Sequence, residues 1–267
     1  MAANRHRSGM FVCIGMLALG ALMYFGLELA LRQLHQVPDV PAGIPSGGIR
    51  VWVADIKNDP QAMKIAGDAM SSGGAEFFLA QGMPLNDLDA TARNLGMNGP
   101  ENPPTFSASE NAELSARIWG NAILSRQTLF EGRTIPNAGG GSMGVWGWMI
   151  IDGKRFLLAS VQFQAGPGPL NEIAREDEMK HLRADWLVRD QPPMIAAFAP
   201  VAGADRDALA RVLASFSELH VGADLPQPTT ASATQSAAVP DLIGWTAPWS
   251  GAILESAANG VQEFKLR

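Results

Sequence analysis

Nineteen consecutive residues without a charge, Gly9 to Leu27, constrain this chain more than any other stretch. At a helical rise of about 1.5 Å per residue they span about 28 Å, close to the ~30 Å hydrocarbon core of a bilayer. Glu28 interrupts the run, and Leu29, Ala30 and Leu31 extend it to Arg32. The pattern predicts one transmembrane helix over residues 9–31. A cleaved signal peptide shares the basic start and the apolar middle. Ala18-Leu19-Gly20 meets the small-residue rule for cleavage, yet the apolar run continues past it to Phe25. Cleavage after Ala30 places Glu28 three positions back, a poor fit. An uncleaved signal anchor is therefore expected. Arg5 and Arg7 outweigh Arg32 near the span, so the N-terminus (1–8) is expected in the cytoplasm. The bulk of the chain is then periplasmic, in a single-pass protein of the inner membrane, with the lipid bilayer as its first partner.

Charge narrows the other partners. Arg5, Arg7 and Arg32 against Glu28 leave +2 on the anchor, so the remainder carries −8 of a total of −6. With 20 lysines and arginines in all, no basic field marks a nucleic-acid surface. A lone cysteine, Cys13, excludes an intramolecular disulfide framework and a cysteine-based zinc site.

Beyond the anchor, residues 32–48 form a linker rich in proline and glycine. A folded α+β domain is expected over 49–222. Its first strand is Ile49 to Ala54. A helix comes next from Asp59-Pro60, with Asp59 as cap and Pro60 at the first helical position, and stops at Ser72-Gly73-Gly74. A second helix fits Asn86 to Leu95. Ser107 and Glu110 have capping-box spacing, so a helix is expected to about Trp119 and a strand after it. Asp152-Gly153 predicts a two-residue hairpin turn between Val145–Ile151 and Arg155–Phe163, because this dipeptide supplies the positive φ angles such turns need. A charged helix over 171–189, a strand over 194–199 and a helix over 205–219 complete the domain. One mixed, largely antiparallel sheet packed with helices is the expected arrangement. Residues 223–240 form a low-complexity linker from which no core can be built. The tail, 241–267, is rich in aromatic and aliphatic residues and is either a docking segment or an edge strand.

Few residues carry the marks of chemistry. Gly140-Gly141-Ser142-Met143-Gly144 matches the G-x-S-x-G pattern of a nucleophile elbow, and Asp205 (or Asp207) and His220 complete a triad in order. The elbow, however, needs a helix after the serine, and a strand is expected here. Glu178 and His181 have the spacing of a metal-ligand pair, but no second such helix accompanies them, so a solvated helix face is the better account. No metal or other cofactor is expected. Trp146 and Trp148 share a strand face and form either a ligand platform or a face covered by the 171–189 helix. Leu242, Ile243, Trp245 and Trp249 have the composition of a docking segment held on a tether. Together these features predict a non-enzymatic membrane protein that binds other envelope proteins as an accessory or scaffold subunit. A serine hydrolase using Ser142, or a small-molecule binder using Trp146 and Trp148, are the alternatives.

Overall fold

Alternation of side chains builds the first strand. In β1 (Ile49–Asp55), Ile49, Val51 and Val53 turn to one face, while Trp52 and Ala54 turn to the other. The computed structural model describes residues 23, 38–56, 76–97, 105–108, 119–136, 142–163, 168–199, 211–221, 242–250, 252–258 and 261–267. Residues Met1–Pro38 and Asp39–Arg267 form separate units, and every strand and helix named below belongs to the second.

Among the described residues, eleven further strands belong to the sheets: β2 (Phe77–Pro84), β3 (Thr105–Ala108), β4 (Trp119–Ser125), β5 (Phe130–Pro136), β6 (Ser142–Ile151), β7 (Lys154–Val161), β8 (Met194–Phe198), β9 (Leu219–Val221), β10 (Leu242–Thr246), β11 (Ala252–Ala258) and β12 (Val261–Leu266). Helix α1 (Leu85–Asn94) leaves β2 directly, and α2 (Pro169–Val188) joins β7 to β8. The strands form two sheets, ordered β11-β12-β1-β2-β4-β3 and β5-β6-β7-β8-β10-β9. The two sheets share one pairing pattern. Each has a central parallel pair, β1 with β2 and β7 with β8, and its other neighbours run antiparallel. The class is α+β, as expected, but with two mixed sheets in place of one.

The sheets face each other across a shared apolar core. Val51, Phe77, Leu79 and Ile123 of one meet Val145, Phe156, Leu158 and Ile195 of the other. Phe156 stands edge-on to Phe77, with ring centroids 6.1 Å apart, and to Trp249 at 5.6 Å. Edge contacts of this kind add about 0.5–1.5 kcal/mol each beyond the area they bury. The outer face of the first sheet (Trp52, Phe78, Met83, Leu124) is covered by Leu88 and Ala92 of α1 and by Leu95, which caps its C-terminus. On the second sheet, Met179, Leu182 and Trp186 of α2 are buried, and Trp186 packs on Phe216 at 5.2 Å.

Several local expectations hold. The β6–β7 hairpin turns at Asp152 (φ 52°) and Gly153 (φ 67°), and α1 and α2 lie within two residues of their predicted bounds. Others are corrected. Ser107 lies in strand β3 rather than at a helix cap, and Trp119 opens β4 rather than ending a helix. The helix expected to reach Leu219 ends at residue 214, and Leu219 instead starts β9. Strand β2 has no counterpart among the predicted elements. All eight of its residues are buried, so it shows no alternation to detect. Val261–Leu266 is a strand, but an internal one between β11 and β1.

The expected helix after Asp59, the 223–240 linker and, apart from Met23, the anchor over 9–31 lie outside the described residues. Among the described residues no helix is long and apolar enough to cross a membrane.

Candidate functional site at one end of the sandwich

Four strands change character at the same end of the core. The inward column of β1 runs Ile49, Val51, Val53 and then Asp55; that of β2 runs Phe77, Leu79 and then Gln81. In β7, Phe156 and Leu158 are followed by Ser160, and in β4 Ile123 is followed toward this end by Asn121. The parallel registers align these positions: Asp55 lies beside Gln81, and Ser160 beside Ala197. The polar residues thus cluster at the carboxyl ends of both parallel pairs. Ligands of open parallel sheets also bind outside the carboxyl ends of strands.

Gln81 ties the two sheets together. Its Nε2 donates to Ser160 Oγ (3.0 Å) and to the Ala197 carbonyl (3.5 Å), and Ser160 Oγ donates back to the Ala80 carbonyl at 3.0 Å. Asn121 Nδ2 donates across to the Met143 carbonyl at 3.2 Å. Each amide nitrogen faces a carbonyl, which fixes the orientation of both amides. Gln81 Oε1 and Asn121 Oδ1 are left buried without a hydrogen-bond partner. The register of β2 on β4 slips between Ala80 and Met83, so Gln81 and Gly82 together oppose Asn121. Gly82 accommodates this bulge with φ 63°.

Both carboxylate oxygens of Asp55 are shielded from solvent. Asp55 is the only one of the four residues that carries charge. A shielded carboxylate at the strand ends that also carry the two amide oxygens makes a set of acceptors, suited to hold a water or hydroxyl by its hydrogens and to take a proton from it. Among the described residues no three of His, Cys, Asp and Glu come together as a metal-binding group.

The residues singled out from sequence lie elsewhere. Ser142 opens β6 opposite Pro136, so no helix comes after it as an elbow requires. His220 is exposed on β9 and lies against Trp245, with ring centroids 6.4 Å apart. Four strand spacings of about 4.8 Å separate β6 from β9, roughly 19 Å, so the structure does not bring Ser142 and His220 together. Asp205 lies outside the described residues. Trp146 and Trp148 are both buried on the α2 side of the sheet. Arg189 caps the Trp146 ring at 3.5 Å and Arg155 lies over Trp148 at 5.3 Å. His181 directs Nδ1 at the Asp177 carbonyl of its own helix, 2.8 Å away.

The described residues of the tail are built into both sheets. Leu242 pairs with Phe198 as β10 inserts between β8 and β9, and Ile243, Trp245 and Trp249 are buried in the shared core. Their apolar surface is spent within the chain. Asp55, Gln81, Asn121 and Ser160 carry no mark in the sequence, because they become neighbours only through the pairing of strands far apart in the chain.

No family model matches the sequence, and no curated protein matches it. The architecture, in contrast, resembles solved structures over most of its length. The catalytic domain of human nocturnin aligns over 87% of this chain and 98% of its own, with a TM-score of 0.61 and 14% identity. An endonuclease/exonuclease/phosphatase from Beutenbergia cavernae covers 82% of this chain and 71% of its own, with a TM-score of 0.59 and 11% identity. Sphingomyelinase C from Streptomyces griseocarneus covers 82% and 98%, with a TM-score of 0.54 and 11% identity. This likeness corrects the expectation of a non-enzymatic accessory or scaffold subunit of the membrane, since the chain has the fold of named hydrolases.

Proposed function

We propose that this chain is a phosphoester hydrolase whose reaction takes place at the polar end of the sandwich. One observation carries the reading: the two-sheet architecture of Asp39–Arg267 resembles a nuclease/phosphatase and a sphingomyelinase, whose shared chemistry is cleavage of a phosphoester bond. The cluster of Asp55, Gln81, Asn121 and Ser160 supports the location, because it gathers acceptors where both parallel pairs end. In this reading Asp55 accepts the proton of the attacking water. The unpartnered oxygens of Gln81 and Asn121 hold that water by its hydrogens, and as its oxygen bonds to phosphorus the ester P–O bond breaks and the proton taken by Asp55 passes to the departing alkoxide. The net charge of −6 favours a small phosphoester over a nucleic-acid strand.

The test is turnover of nitrophenyl phosphate monoesters and diesters and of sphingomyelin, with and without added divalent metal. The wild-type chain is expected to release product from at least one of them. Asp55→Asn is expected to lower kcat/KM by about 100-fold, the usual effect of removing a positioned proton acceptor, with an unchanged circular dichroism spectrum. Binding without turnover would mark the end of the sandwich as a recognition site and overturn the hydrolase reading. Undiminished turnover in Asp55→Asn would remove the assigned proton acceptor.

A further inference from the structure

The opposite end of β1 carries a second polar feature that the proposed reaction does not use. Arg50 and Lys265 are direct register partners across β1 and β12. Two cations therefore stand side by side on one face of the sheet, an arrangement that destabilises a strand pair unless an anion lies with them. Glu263 approaches Arg50 from one flank, with Nε and Oε1 3.8 Å apart. Beside the pair lies a cleft of about 260 Å³, lined by Gly47, Gly48, Ile49, Arg50, Glu76 and Lys265.

The two glycines differ in kind. Gly48 is required by the backbone: φ is +68°, and a Cβ there would lie 2.3 Å from the Leu266 carbonyl oxygen. Gly47 is under no such constraint, since a Cβ there meets nothing within 4 Å. It leaves the cleft open without being needed for the fold. Glu76 contributes a buried oxygen, Oε2, that has no hydrogen-bond partner. Burial raises its pKa above the ordinary carboxylate value, and Asp152 adds to the effect; a backbone hydrogen bond from Arg50 and the charges of Arg50 and Arg126 oppose it. A protonated Glu76 offers a donor where a charged one offers only repulsion.

We propose that this cleft is a binding site for a small tetrahedral oxyanion, a sulfate or phosphoryl group, seated over Gly47 between Arg50 and Lys265 with Glu76 at its side. It is separate from the polar end of the sandwich. Five residue steps along β1 put roughly 17 Å between Arg50 and Asp55. Anion binding here is therefore independent of the hydrolase reaction.

Calorimetric titration of the full chain with sodium sulfate, at constant ionic strength, tests it. Sulfate keeps its charge between pH 5 and 8, so any pH dependence belongs to the protein. One saturable site is expected. Its affinity should fall about tenfold in Lys265→Ala, the scale of one lost charge-assisted hydrogen bond. Gly47→Leu should weaken it by filling the cleft, while Asp55→Asn leaves it unchanged. Because neutral Glu76 donates and ionised Glu76 repels, affinity should rise as the pH falls. Glu76→Gln should bind equally at both ends of the range. The other charged groups around Glu76 and the cleft are Arg50, Arg126, Lys265, Glu263 and Asp152. Parallel titrations with inorganic phosphate and glycerol phosphate distinguish a free anion from a phosphate monoester, and saturable binding of either supports the site. Absence of saturable binding by all three anions overturns the proposal, as does binding that Lys265→Ala and Gly47→Leu leave untouched.

Discussion

Arg183 and Glu218 show what one pair of side chains does for an otherwise open contact. Arg183 leaves α2 and donates Nε to Glu218 Oε2 at 2.8 Å, with a second bond from Nη2, joining the helix to the turn before β9. The guanidinium hydrogen bonds hold the Glu218 carboxyl down at about 2, with a smaller contribution from the Ser217 hydroxyl. A carboxyl depressed in the folded state stabilises the fold above its ordinary pKa. That contribution is lost as the pH falls through about 2. Both side chains are about one-third exposed, so salt screens the pair. Arg183→Gln is expected to return the Glu218 titration to the ordinary carboxylate range, which carboxyl carbon NMR would show. A Glu218 titration that stays put in the variant would mean another group holds it. Neither partner is recognisable in the sequence, 35 residues apart on separate elements. By contrast, the Asp185–Arg189 pair, one helical turn apart, follows from spacing and is present at 3.2 Å.

Individual strands and helices are legible where local chemistry decides and opaque where pairing does. The β6–β7 hairpin follows from Asp152-Gly153 because the turn needs two positive φ angles and few other residues supply them. β3 is misread because Ser107 and Glu110 mimic a helix start, whereas its backbone is claimed by β4 over Ala108–Gly120 to Thr105–Ile123. Glycine makes the same distinction testable. Gly153→Ala, at φ +67° with open space around it, is expected to cost about 1–2 kcal/mol from the left-handed backbone alone. Gly48→Ala meets the same penalty and also drives a Cβ against the Leu266 carbonyl, so it should cost more. Urea unfolding of the two variants checks this order. Equal losses would mean that the end of β12 yields without cost.

For the molecule as a whole, the tail decides between a domain with an appendage and a single sandwich. β10 fills a place inside the second sheet, and β12 one inside the first, so both sheets need residues that come after Pro240. Truncation after Pro240 is expected to abolish cooperative thermal unfolding rather than leave a folded domain without its tail. A cooperative melt in the truncated chain would restore the tail as an appendage. Residue order alone was enough for the Asp-Gly turn, the apolar face of α1, the charged helix α2 and the α+β class. These depend on spacing within one element, which a linear pattern records. Chain packing settled the rest: that there are two sheets, that β2 is central, and that Trp245 and Trp249 face inward. It also placed Asp55, Gln81, Asn121 and Ser160 together. The reason is physical: a residue's alternation reveals that it has a buried face, but not which distant strand buries it.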